Sequence, residues 1–128
     1  MELTEDLKRT IWDEGVIDDK YPSERVRKDA CGAFIRYGDF GNRDSIFGWE
    51  VDHIFPASKL KEGDDVDNLV NLRPFHWKNN ASKGANYPYY TACMMADDEN
   101  ATNVEVSVGK VVNQHKQEEL RELYHLDV

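Results

Sequence analysis

Apolar residues fall into short runs of changing period along this chain, and each change marks an element. Leu3, Leu7 and Ile11 recur at helical spacing, so Leu3 to Asp13 reads as a short amphipathic helix, with Thr4 as its cap and Gly15 beyond its end. Pro22 and Ser23 lead into a second helical candidate, Glu24 to Ala30. Gly32 to Tyr37 and Trp49 to Ile54 read as strands, with the turn cluster Gly38-Asp39-Phe40-Gly41-Asn42-Arg43-Asp44 between them. Ala57 to Val66 is a charged loop, Val66 to Val70 one helical turn, and Leu72 to Phe75 a short strand. His76 to Lys83 continues as a helix that Gly84 stops. Tyr87-Pro88-Tyr89-Tyr90 is aromatic without a clear period, Asn103 to Val108 alternates as a strand, and Val111 to Tyr124 reads as a closing helix.

Composition adds bounds. A chain of 128 residues fits one domain, and 40% hydrophobic residues argue for a folded core over disorder. No apolar run approaches the ~20 residues of a membrane span. The N-terminus, Met1-Glu2-Leu3-Thr4-Glu5-Asp6, is acidic and does not read as a secretory signal, so the expected location is cytoplasmic. Cys31 and Cys93 are too few for a disulfide framework and read as partly buried thiols. The net charge of −9 runs against phosphate binding. Its distribution softens this: residues 1–20 carry −4, residues 91–128 carry −5, and residues 21–90 hold ten basic and ten acidic side chains. A negative global field slows encounter with nucleic acid and sharpens its salt dependence, but a locally basic cleft can still bind.

The chemistry gathers in the middle. Trp49-Glu50-Val51-Asp52-His53-Ile54-Phe55-Pro56 ends a strand on an Asp-His pair, and Asn71-Leu72-Arg73-Pro74-Phe75-His76-Trp77-Lys78-Asn79-Asn80-Ala81-Ser82-Lys83-Gly84 follows. Hydrolysis of a phosphodiester needs a deprotonated water, compensation of the charge on phosphorus, and a neutralised leaving oxygen. A neutral imidazole, with an ordinary pKa near ~6.5, can take the proton, which makes His53 the candidate base. Asp52 is the candidate anionic metal ligand, and Asn80 supplies a second oxygen. Such a hard, incomplete oxygen set suits one divalent cation, Mg²⁺ or Mn²⁺, completed by water and phosphate. Asn71 is placed to fix the His53 tautomer. Adjacent residues of a regular strand face opposite ways, so Asp52 and His53 reach one phosphate only if the strand ends or bends there; Pro56 is consistent with that.

The spans Asp52-His53-Ile54-x-Pro56 and Asn71-Leu72-x-Pro74-x-His76-Trp77-x-Asn79-Asn80-x-x-Lys83-Gly84 resemble the HNH endonuclease family. Arg27-Lys28-Asp29-Ala30-Cys31-Gly32-Ala33 and Gly48-Trp49 are similar to the lead-in of small bacterial and phage members. The resemblance covers roughly residues 25–88, with the motif core at about 48–84 inside a single domain of 1–128. It implies an α+β fold: a ββα-metal (His-Me finger) core with flanking helices and short strands. It further implies a metal-dependent endonuclease, with DNA as the expected substrate and 3′-hydroxyl and 5′-phosphate ends. The family's general base falls on His53, its acidic ligand on Asp52, its central Asn on Asn71 and its last ligand on Asn80, with Asn79 the substitute if the register slips by one. His76, Lys83 and Arg73 fall where members contact phosphate; for His76, packing at the helix start stays open beside that role. Many members carry a structural zinc whose ligands this chain lacks, and packing by Trp49, Phe55, Phe75 and Trp77 is its expected replacement. The alternative is a catalytically silent ββα fold serving as a nucleic-acid or protein-binding adaptor.

Overall fold

The structure is a computed structural model and describes residues 1–126; Asp127 of the acidic C-terminal flank lies outside them. Thr4 accepts a hydrogen bond from the Leu7 amide and starts α1, Glu5–Trp12, with Glu5 and Asp6 in its first turn. Ile11 and Trp12 are buried, and Leu3 and Leu7 pack on the cluster they belong to. This is the stripe the spacing implied.

The expected helix over Glu24 to Ala30 is not formed. That segment holds β1, Val26–Lys28, paired antiparallel with β2, Phe34–Arg36. The reason lies with Arg27, which is buried. Its guanidinium donates to the carbonyls of Asp13 and Gly15, where the chain leaves α1, and to that of Ser23. A tight turn follows in which buried Asp29 accepts from the amides of Cys31 and Ala33.

At the centre are β3, Trp49–His53, and β4, Leu72–His76, antiparallel from Trp49 opposite His76 to His53 opposite Leu72. The connection closes with a 3-10 turn at Leu69–Asn71, capped by Asn68. Helix α2, Trp77–Lys83, follows β4 without a linker. Gly84 ends it at φ +52°, a backbone region that favours glycine.

Two long strands come next, β5, Tyr89–Asp97, and β6, Thr102–Val111, also antiparallel. The sequence pointed to part of β6 and missed β5. Tyr90, Ala92 and Met94 face inward, but the outward positions carry Tyr89, Thr91 and Cys93, so the residue types hardly alternate. The register also slips between Ala92 and Met94. There the Asn79 oxygen accepts from both the Cys93 and Met94 amides, and its nitrogen donates to the Met94 carbonyl. Asn113 caps the last helix, α3, Gln114–Tyr124, so Val111 belongs to β6.

Among the described residues the fold is therefore α+β, three α-helices with three two-stranded antiparallel sheets. Two apolar clusters lie against the β3–β4 pair. One joins Ile54, Phe55, Phe75, Tyr90, Leu120 and Tyr124, and the other Ile11, Trp12, Ile35, Trp49 and Leu72. Of the four aromatics expected to pack the motif, Trp49, Phe55 and Phe75 are buried. Trp77 is half-buried, with its indole N–H on the Ser45 carbonyl. Cys31 and Cys93 are free thiols, the first fully buried and pushed by burial to about 12. No helix among the described residues is long and apolar enough to cross a membrane.

Candidate active site

β3 ends at His53, and the chain bends at once through Ile54 and Phe55. The His53 side chain is 36% exposed, and its Nε2 lies 2.7 Å from an oxygen of Asp67. A carboxylate oxygen only accepts, so Nε2 carries the hydrogen and Nδ1 is the basic atom of the neutral ring.

Asn71 has a different job from the one its position suggested. It is fully buried; its oxygen accepts from the Phe55 amide at 2.7 Å, and its nitrogen donates to the carbonyls of Phe55 and Val66. Asn71 therefore pins the bend after His53, and Asp67 takes the orienting contact with the ring. The sequence offered one signal for Asp67. Pairing His53 with Leu72 makes 54–71 a closed connection, so its last residues return beside its first. Within an acidic run, residue 67 was not distinguishable from its solvated neighbours.

Asp52 is buried and bonded by two cations. Arg73, opposite it on β4, donates from Nε at 2.8 Å, and the Lys83 ammonium of α2 lies 3.3 Å from the other oxygen. Lys83 also donates to the His53 carbonyl. Its side chain has no exposure, and burial pulls its pKa below the ordinary lysine value while Asp52 opposes that. Lys83 and Arg73 were expected to touch phosphate; both are instead committed to Asp52 inside the protein. The three charges sum to +1 beneath the strand end.

His76 is also internal. Nδ1 accepts from the Lys78 amide, capping α2, and Nε2 donates to the Ile46 carbonyl at 2.8 Å. Of the two roles left open for His76, the structure gives it packing at the helix start. Burial lowers its pKa. Asn79 is likewise buried, with its nitrogen also on Asp29. The neighbouring Asn80, not Asn79, lines the cleft at this end of β3. Its nitrogen donates to Glu50 at 3.1 Å, which leaves the amide oxygen as the atom it can offer.

An open cleft of roughly 310 Å³ runs beside this end of β3, lined by Asp52, His53 and Asn80, with Pro56, Val66 and Gly84 in its walls. A larger concavity of about 750 Å³ beside Arg9, Arg25 and Arg36 has cations but no histidine in its lining. As metal donors, Asp52 and Asn80 fit a hard ion in kind. A carboxylate has about four lone-pair sites, so Asp52 keeps acceptor capacity beyond its two bonds. Among the described residues no three His, Cys, Asp or Glu side chains converge as a self-sufficient metal site would require. Two oxygen donors would leave most of such an ion's shell to water or phosphate, and the +1 beneath the cleft would oppose it. Comparison with protein-family models gives no match, and neither do comparisons with curated proteins or solved structures.

Proposed function

We propose that this chain is an endonuclease of the HNH type that hydrolyses phosphodiester bonds in nucleic acid, with DNA as the expected substrate, using a Mg²⁺ or Mn²⁺ ion. The observation that carries the proposal is that His53, with its ring part-exposed, lines one cleft together with Asp52 and Asn80. Asp67 holds the His53 ring by Nε2, and Nδ1 takes the proton from the attacking water. Asn71 keeps the bend that presents the ring. Arg73 and Lys83 act through their field beneath the scissile phosphate rather than by contact. Asp52 and Asn80 would hold the metal ion, which when bound would offset charge on the phosphate and the leaving oxygen.

The test is nicking of supercoiled plasmid in Mg²⁺ and Mn²⁺. His53→Ala should lower the rate roughly 10²–10⁴-fold while the protein stays folded. A variant that cuts as fast as the parent excludes His53 as the base. One observation favours the second reading, a catalytically silent ββα-fold adaptor for nucleic acid or protein: both oxygens of Asp52 are already bonded inside the molecule. A parent protein that cuts neither plasmid nor single-stranded DNA nor RNA across a Mn²⁺ titration would favour that reading.

A further inference from the structure

We propose that Glu50, clamped by Arg43, is a positioning residue that fixes the orientation of the Asn80 amide, so that its oxygen and not its nitrogen is offered to the cleft. The inference rests on the nuclease proposal, because it concerns a ligand of the metal invoked there.

Glu50 and Asp52 lie two apart on β3 and so share a face, and Asn80 and Lys83 lie three apart on α2 and share one too. The two elements are joined by two rungs: Glu50 with Asn80 at 3.1 Å, and Asp52 with Lys83 at 3.3 Å. The rungs differ in kind. An ammonium donates in any rotation, but a primary amide has a donor end and an acceptor end. Glu50 decides which end faces it. Arg43 grips its carboxylate at both oxygens, from Nε at 2.7 Å and Nη2 at 3.0 Å, and the Asn80 nitrogen shares the second oxygen. Flipping the amide would set two acceptors against each other with no hydrogen between them.

The experiment follows Mn²⁺ alone, by its electron paramagnetic resonance signal, with no nucleic acid present. It compares the parent, Asn80→Ala, Glu50→Ala, Arg43→Ala and the Glu50→Ala/Asn80→Ala double variant. Glu50→Ala should weaken Mn²⁺ binding roughly 10-fold, as loss of an outer-shell partner does. The double variant should bind no worse than Asn80→Ala alone. An unchanged affinity in Glu50→Ala overturns the proposal, and so does an additive loss in the double variant, which would mark Glu50 as an independent contributor. Arg43→Ala guards against failure of Glu50→Ala to fold. It removes a positive charge, so a purely Coulombic effect would tighten Mn²⁺, whereas a lost clamp weakens it several-fold; tightening overturns the proposal. A parent that binds no Mn²⁺ at millimolar concentration overturns the metal site itself, an outcome distinct from one in which Asn80→Ala weakens binding and Glu50→Ala does not.

Discussion

A carboxylate bonded by two buried cations is a tightly coupled unit. Taking Asp52 away leaves Arg73 and Lys83 close together in the interior with no anion between them, and a buried charge left without its partner costs about 3–5 kcal/mol. Asp52→Ala should therefore lower unfolding stability by about that amount in urea denaturation, independently of any metal. His53 sits on the surface of the same site, and its removal should stay within about 1 kcal/mol of the parent. Activity lost in Asp52→Ala thus mixes fold and chemistry, whereas activity lost in His53→Ala isolates chemistry. The residue types of the site were legible because Asp-His before Ile-x-Pro, with Asn71 and Asn80 at their spacings, is a restrictive pattern. Their partners were not. Nothing in a linear string distinguishes Lys83 on a phosphate from Lys83 on Asp52, since both need only a cation one helical turn from Asn80.

Helix α2 has seven residues, too few to be stable alone, and side chains from elsewhere hold its first turn. His76 caps it, and Asp29 accepts from the His76 amide and from the Asn79 side chain. The cap makes the helix pH-sensitive. Burial lowers the His76 pKa in the folded state, so as pH falls the unfolded chain takes up the proton first. Stability is then full above the ordinary value near ~6.5 and is lost below it, until the folded-state value is passed. Asp29 is pushed up by burial and acts in the opposite sense, gaining its proton first in the folded state. His76→Asn keeps a capping oxygen without the titration. Its urea midpoint should vary less than the parent's between about pH 7.5 and pH 5.5. At this scale α1, β3, β4 and α2 were readable because each has a clean period or a cap and stop at its ends. β1 and β5 were not, because both are shaped by side chains distant in sequence. Arg27 reaches back to the exit of α1, and Asn79 pulls the Cys93 and Met94 amides out of register.

At the scale of the molecule, charge and fold pull in different directions. The chain carries −9, and two of the cations nearest the cleft are spent internally on Asp52. The residues that line the cleft include no Lys or Arg to displace counterions from a nucleic acid. Each neutralised phosphate adds about 0.9 to the slope of log K against log salt on duplex DNA, so binding of a duplex by His53→Ala should show a slope no steeper than about −3 in fluorescence anisotropy. A much steeper slope would point to a wider basic footprint than the cleft offers. One glycine ties these scales together. A Cβ at Gly48 would stand 2.0 Å from the Asn42 carbonyl oxygen and 2.9 Å from the Trp77 ring. The Gly48 carbonyl in turn accepts the Trp77 amide at 3.2 Å. The turn that delivers Arg43 is thus seated against the head of α2 with no clearance for even a methyl group. One added carbon atom at this corner would lever the Arg43 guanidinium away from its grip on Glu50.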